Sequence, residues 1–128
     1  MPRVVLADDE HPIRLILSAK LRERGYEVIE CRDGDEAYES ITSGVPDVLV
    51  TDFQMPLMSG LELAMRLRSE PGTCHLPILM LTARGHSIPD HDLARTNIRA
   101  VLPKPFSVKL VLERVASIVS DSASSRAA

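Results

Sequence analysis

The chain has 128 residues, 45% of them hydrophobic, and a formal net charge of −3. This length fits one domain with a substantial core, and the interspersed charges exclude a basic stripe for nucleic acid. No apolar run approaches the roughly 20 residues of a membrane-spanning helix, and acidic residues follow the N-terminal apolar stretch too closely for a signal peptide. Cys31 and Cys74 share no motif, which indicates reduced thiols in a cytosolic protein.

Five short runs of β-branched and other apolar residues are predicted to be strands. The runs are residues 3–7, 27–31, 48–51, 78–82 and 100–102. Their apolar character is mostly continuous rather than alternating, which indicates strands that are covered on both faces, as in a parallel sheet.

Helices are predicted between and after these strands, from apolar residues that recur every three or four positions. The patterns cover residues 13–21, 37–41, 60–67 and 108–119. Gly25 provides a stop for the first helix, and Asp33 with Glu36 resembles a capping box before the second. Pro89 predicts that the remaining helix, within residues 85–97, is short or starts late, because proline costs about 3 kcal/mol in a helix interior.

The alternation of strands and helices predicts a doubly wound α/β fold. Right-handed crossovers between parallel strands place helices on both faces of the sheet. The domain is predicted to cover residues 1–120, and the polar residues 121–128 are predicted to form a disordered tail. In such sheets, functional groups gather beyond the carboxyl ends of the strands.

Polar groups suited to a metal and a phosphoryl group occur at four of the five predicted strand ends. They are Asp8, Asp9 and Glu10 after the first strand, Asp52 after the third, Thr82 at the end of the fourth and Lys104 after the fifth. Clustered carboxylates repel one another, and a divalent cation relieves that repulsion. Hard oxygen ligands that leave room for water suit Mg²⁺ better than zinc, and a hydroxyl and an ammonium group can bind the oxygens of an anion.

Each of these residues also has an ordinary explanation when it is taken alone. Asp8 and Asp9 could simply favour the start of a helix through their charge. Thr82 could be a plain strand-end hydroxyl, and Lys104 a solvated surface residue. Their occurrence in order, each at a strand end, favours a shared chemical role.

The sequence resembles the receiver domains of two-component response regulators. The matching segments are VVLADDE, TDFQMPLMSGLEL, PILMLTA and LPKPF, which extend from residue 4 to residue 106 and so cover nearly the whole chain. The resemblance implies a flavodoxin-like, three-layer fold with five parallel strands in the order 2-1-3-4-5 and five helices. It also implies a cytoplasmic signalling domain that catalyses only its own phosphorylation and dephosphorylation.

The resemblance implies that Asp52 is the nucleophile that accepts a phosphoryl group from a histidine kinase or a histidine phosphotransfer protein. Mg²⁺ would be bound by Asp9, Asp52 and the backbone carbonyl of Gln54, with Asp8 acting through water. Mg²⁺ and Lys104 would neutralise charge on the transferring phosphoryl group.

Three further expectations follow from the resemblance. The Thr82 hydroxyl would move onto a phosphoryl oxygen. The bond between Lys104 and Pro105 would be cis, although X-Pro bonds are usually trans. Gln54 and Arg84 occupy the positions that tune the lifetime of the phosphoryl group; Arg84 could cover that group or simply point to solvent.

The sequence departs from the family at Val101, where receivers usually carry tyrosine or phenylalanine. In the family this ring moves inward with the threonine and remodels the face of helix 4, strand 5 and helix 5. Valine has no ring to move, and Pro89 falls in the same region. The hypothesis is that phosphorylation changes this face less than usual, or signals through the loops around Thr82 and Lys104.

Three other functions are alternatives to phosphorylation. A receiver-like module that only binds partners would keep the fold, but the complete set of acidic, hydroxyl and lysine residues argues against it. A phosphatase of the haloacid dehalogenase type needs a second acid where Gln54 stands, and nucleotide binding would need a glycine-rich loop after the first strand. The downstream target is open, and so is the choice between a stand-alone receiver and a fragment. The expected state is a monomer or weak dimer without direct contact to nucleic acid or membrane.

Overall fold

A computed structural model of the protein describes residues 1–83 and 88–127, with residues 122–127 described by their backbone alone. Within these residues, strands and helices alternate along the chain. The strands are β1 (Arg3–Ala7), β2 (Glu27–Cys31), β3 (Val48–Asp52), β4 (Ile78–Thr82) and β5 (Ile98–Pro103). The helices are α1 (His11–Glu23), α2 (Gly34–Ser43), α3 (Gly60–Ser69), α4 (Asp90–Leu93) and α5 (Val108–Ala127).

The strands form one parallel sheet in the order β2-β1-β3-β4-β5, which confirms the predicted topology. The predicted bounds of β1, β2 and β4 are confirmed, β3 extends one residue further to include Asp52, and β5 is longer than predicted at both ends. Two of the three interior strands, β3 and β4, are buried at every position. Their continuous apolar sequences therefore reflect coverage on both faces of the sheet.

The core consists of two apolar clusters, one on each face of the sheet. Val4 and Leu6 of β1 contact the cluster that includes α1 and α5, whereas Val5 and Ala7 contact the cluster that includes α2 and α3. Successive strand residues point to opposite faces, so one strand supplies both clusters. The sheet is therefore held rigidly between two layers of helices.

Capping side chains explain where two of the helices begin. The Asp33 side chain accepts a hydrogen bond of 2.8 Å from the Glu36 backbone N–H at the start of α2, as predicted. The Glu36 carboxylate accepts from the backbone N–H of Arg32 rather than from that of Asp33. A complete capping box, which was not predicted from the sequence, joins Ser59 and Glu62 at the start of α3.

The last two helices have unusual lengths: α4 is short and α5 is long. The described part of α4 is one short helix, Asp90–Leu93, and Pro89 is its N-cap residue, in agreement with the predicted late start. α5 continues to Ala127 and so includes most of the segment predicted as a disordered tail. Adding residues to a formed helix requires no new nucleation, and alanine and arginine are good helix formers. In the described residues, no helix is long and apolar enough to cross a membrane.

Candidate functional site

The parallel register brings the polar residues of the strand ends to one edge of the sheet. Asp8 follows β1, Asp52 ends β3, Thr82 ends β4 and Lys104 follows β5. Backbone hydrogen bonds extend the pairing past these ends: Asp8 N–H donates to the Cys31 carbonyl at 3.1 Å, and Lys104 N–H donates to the Thr82 carbonyl. Asp8, Asp52 and Thr82 are all at least 96% buried, so the edge forms a recessed polar site.

The ammonium group of Lys104 lies between three carboxylates. Its Nζ is 3.3 Å from an oxygen of Asp52, 3.3 Å from an oxygen of Asp8 and 2.9 Å from an oxygen of Glu10. Burial lowers the pKa of Lys104, but the hydrogen bond to Glu10 and the three negative charges together raise it above the ordinary value. The lysine is therefore a fixed positive charge within the site at neutral pH.

The Asp52 carboxyl has the largest pKa shift at the site. Burial, the charge of Asp8 and the charge of Asp9 raise the pKa of Asp52 to about 6, although Lys104 opposes this shift. Burial also raises the pKa of Asp8, against the opposing effects of the Glu10 backbone N–H and Lys104. At neutral pH Asp52 is mostly ionised, and its charge is only partly compensated by Lys104.

The carboxylates form a group that could bind a metal ion. One oxygen from each of Asp8, Asp9, Glu10 and Asp52 lies within 4.8 Å of the others. Two of these side chains are buried and two are exposed, so the group is anchored in the protein on one side and accessible to water on the other. An all-oxygen set with access for water fits Mg²⁺. The structure thus brings together the predicted ligands Asp8, Asp9 and Asp52.

Glu10 was predicted only as one of the strand-end carboxylates, without a specific role in metal binding or phosphoryl transfer. Its carboxylate oxygen contacts Lys104, and its backbone N–H donates to the Asp8 carboxylate at 2.8 Å. The indication in the sequence that Glu10 belongs to the site was its position directly after Asp9. Whether a residue there turns toward the lysine depends on its side-chain conformation, which the sequence pattern does not reveal.

The segment after Asp52 packs tightly against the strand end. Gly60 N–H donates to the Phe53 carbonyl at 2.8 Å, and a Cβ atom at Gly60 would overlap the Asp52 carbonyl oxygen. Glycine is thus required for α3 to begin directly beside the carboxylate. Leu57, in the intervening loop, has φ of 72° and is 80% exposed.

The structure bears on some of the remaining predictions for site residues and leaves others as predictions. The Lys104–Pro105 peptide bond is cis, as the resemblance implies. Gln54 is exposed, and the metal-binding role of its backbone carbonyl stays a prediction. Arg84 lies outside the described residues. Val101 is partly buried on β5 and pairs in register with Met80 of β4.

Comparison with known proteins identifies the family. The model of the response regulator receiver domain matches residues 4–116. The chain belongs to this family. Phosphoaspartate signalling is the general function of receiver domains, and their acidic pockets generally bind Mg²⁺.

This receiver domain is similar to two kinds of curated relatives. It is 35% identical to the phosphate regulon transcriptional regulatory protein PhoB of Rhizobium meliloti, and the match covers 93% of the chain but 52% of PhoB. It is 32% identical to the chemotaxis protein CheY of Pseudomonas aeruginosa, with 91% of the chain and 94% of CheY covered. The chain therefore spans about half the length of the PhoB relative.

Solved structures show the same fold. A response regulator from Chloroflexus aurantiacus matches with a TM-score of 0.85 and 34% identity, over 93% of this receiver domain and 98% of that chain. The chemotaxis response regulator CheY4 of Vibrio cholerae matches with a TM-score of 0.84 and 30% identity, over 92% and 98%.

We predict that Asp52→Asn stabilises the metal-free receiver domain by about 1–3 kcal/mol at pH 7.5 and by almost nothing at pH 3.5. The folded pKa of Asp52, about 6, exceeds its ordinary value of 3.8. Between these values the folded state binds more protons than the unfolded state, so the parent loses stability as the pH rises.

Urea unfolding in the presence of a chelator, followed by circular dichroism across this pH range, measures the effect. Asp35→Asn, at an exposed position in the first turn of α2, is the matched control and should differ from the parent by less than about 0.5 kcal/mol. A gain for Asp52→Asn that is constant with pH would contradict the raised pKa.

Proposed function

We propose that this receiver domain accepts a phosphoryl group on Asp52 from a phosphohistidine of a histidine kinase or a histidine phosphotransfer protein. An Asp52 carboxylate oxygen attacks phosphorus and the P–N bond breaks; the donor ring, protonated on its other nitrogen, takes the bonding electrons and leaves as neutral imidazole. The product is an aspartyl phosphate. The observation that carries this proposal is the placement of an ionised, buried Asp52 carboxylate 3.3 Å from the Lys104 ammonium, at the open edge of the sheet.

The charges around Asp52 support this chemistry. Phosphoryl transfer needs positioning and neutralisation of negative charge more than it needs covalent chemistry from the protein. Lys104 already contacts Asp52 and Asp8, so an oxygen of a phosphoryl group on Asp52 would come within reach of the same ammonium group. Thr82 ends the neighbouring strand and is proposed to bind another phosphoryl oxygen.

Asp8, Asp9 and Asp52 are the residues proposed to hold Mg²⁺, together with the Gln54 carbonyl. When bound, Mg²⁺ would neutralise carboxylate and phosphoryl charge that Lys104 alone leaves uncompensated. The clustering of the carboxylate oxygens within 4.8 Å supports this assignment. Removal of the metal is therefore expected to stop phosphorylation while leaving the fold intact.

We predict that incubation with acetyl phosphate and Mg²⁺ adds one phosphoryl group to the parent protein, measured as intact mass. Asp52→Asn should gain nothing, because the nucleophile is absent, and the parent should gain nothing in the presence of a chelator. Asp35→Asn should gain one group like the parent. No gain in the parent, with acetyl phosphate or with a phosphorylated histidine donor, would indicate a module that acts by binding alone.

The surface beside the site supports docking of a protein donor. Because Asp52 is 4% exposed, a donor histidine must approach through the mouth of the recess. A largely apolar depression of about 520 Å³ adjoins this mouth and includes Ile16, Phe106 and Lys104 in its lining. Ile16 is 52% exposed and so offers an accessible apolar side chain within this depression.

We predict that Ile16→Ser slows phosphotransfer from a phosphorylated histidine phosphotransfer protein by about tenfold, as expected for loss of a well-packed interface side chain. The rate with acetyl phosphate should not change, because this small donor needs no docking surface. Leu15→Ser is the control: Leu15 is 50% exposed on the same helix but does not line the depression. Equal effects of the two substitutions, or equal slowing with both donors, would contradict this docking site.

The output of this receiver domain is proposed to differ from that of relatives with an aromatic switch residue. Val101 pairs with Met80, two residues before Thr82 on the adjacent strand. A valine at this position offers no ring to follow the Thr82 hydroxyl. We predict small backbone NMR shift changes on β5 and α4 when beryllofluoride binds, with larger changes in the loops around Thr82 and Lys104. A response centred on β5 and α4 would contradict this prediction.

A further inference from the structure

Arg14 of α1 is a buried cation that the proposed chemistry does not use. The residue is 8% exposed, and its guanidinium group contacts three different parts of the protein. Nη1 donates to the backbone carbonyl of Asp8 at 2.8 Å, Nε lies 3.7 Å from a carboxylate oxygen of Glu30, and Nη2 lies 3.0 Å from Nδ1 of His11. The residue thus joins α1, the end of β1 and the edge strand β2.

The contact with the Asp8 carbonyl has a specific geometric consequence. This carbonyl belongs to the peptide group that links Asp8 to Asp9, two of the three residues that contribute carboxylates from this loop to the acidic group. A hydrogen bond to the carbonyl restricts rotation of that peptide group, and with it the direction in which the two side chains leave the backbone. Another restraint on this loop is the bond from the Glu10 N–H to the Asp8 carboxylate.

The shape of the guanidinium group suits this role. Arginine is planar and has five N–H donors in a fixed arrangement, so several partners can fix its orientation at once. Burial of a charged group is costly unless it is paired, and Glu30 provides the pairing carboxylate here. The Asp8 carbonyl is therefore bound by a donor that its other partners hold in place.

We propose that Arg14 is a positioning residue of the metal and phosphoryl site. By holding the peptide group between Asp8 and Asp9, it preorganises both carboxylates for a divalent cation. Glu30 orients the guanidinium group from the edge strand. This inference rests on the proposed function, since it concerns the same acidic group. It differs in assigning the positioning of the Asp8 and Asp9 carboxylates to a residue that contacts neither metal nor phosphoryl group.

Arg22 provides a matched control on the same helix. Its Nη2 lies 3.3 Å from the other carboxylate oxygen of Glu30 and donates to the Val28 carbonyl at 3.1 Å. Its contacts in the described residues are with β2, which lies on the far side of β1 from Asp52. Substitution of Arg22 thus removes a cation and a bond to Glu30, as substitution of Arg14 does, but spares the Asp8 carbonyl.

The test compares Arg14→Met, Arg14→Lys and Arg22→Met with the parent at a temperature where circular dichroism shows each protein to be folded. Mg²⁺ affinity is measured by isothermal titration calorimetry, and hydrogen exchange of the Glu10 amide is measured by NMR in metal-free protein. We expect Arg14→Met to raise the Mg²⁺ dissociation constant about tenfold and to speed Glu10 exchange by a similar factor, whereas Arg22→Met changes both less than about twofold. Arg14→Lys should recover only part of the affinity, because an ammonium group cannot reproduce the planar set of contacts.

Several outcomes would overturn the proposal. Equal effects of Arg14→Met and Arg22→Met would reduce Arg14 to an ordinary stabilising residue. Full recovery by Arg14→Lys would show that charge, not positioning, is what the site requires. If Arg14→Met does not fold, Arg14→Lys is compared with Arg22→Lys instead. Weaker Mg²⁺ binding and faster Glu10 exchange in Arg14→Lys than in Arg22→Lys would support the proposal, and equal effects would overturn it. If the parent binds no Mg²⁺ at all, the proposed function fails, while Glu10 exchange in the metal-free proteins still tests the positioning role.

Discussion

The ammonium group of Lys104 lies 3.3 Å from carboxylate oxygens of both Asp8 and Asp52, and the rest of the site depends on this arrangement. Two buried carboxylates at one sheet edge repel each other, and burial raises the pKa of both. One lysine reduces this repulsion without cancelling it. The site is left with excess negative charge that a divalent cation could neutralise, and with an ammonium group that could bind the incoming phosphoryl group.

The parallel sheet is what makes this arrangement possible. Asp8 and Lys104 are separated by 96 positions in sequence, yet their side chains are in contact because their strands end at the same edge. The two apolar clusters keep the strands in register on both faces. The capping box of Ser59 and the close approach of Gly60 to the Asp52 carbonyl then fix the start of α3 beside the acceptor. The sheet and its helices thus hold the Asp52 carboxylate at the sheet edge. Of the neighbouring carboxylates, Asp8 is buried and Asp9 is exposed.

The parts of this structure that follow simple periodicities could be predicted from the sequence. Continuous apolar runs located β1, β2 and β4 to the residue, because strands buried on both faces leave a clear compositional pattern. The polar residues that end or follow β1, β3, β4 and β5 indicated a shared site at one edge of the sheet. The contacts of Glu10 and Arg14 were not predictable in this way, since both depend on side-chain conformation and on neighbours distant in sequence. The apolar periodicity of α5 ends at Val119, so the sequence pattern did not indicate the further turns to Ala127.

Peptide mapping after borohydride reduction of the phosphorylated protein identifies the residue that carries the phosphoryl group. Borohydride converts an aspartyl phosphate into homoserine, so the modified residue is identified by its position and not only by the mass of the whole chain. We expect homoserine at position 52 and at no other position. Homoserine at Asp8 or Asp9, or a protein that gains phosphoryl mass but yields no homoserine, would contradict the assignment of Asp52 as the nucleophile.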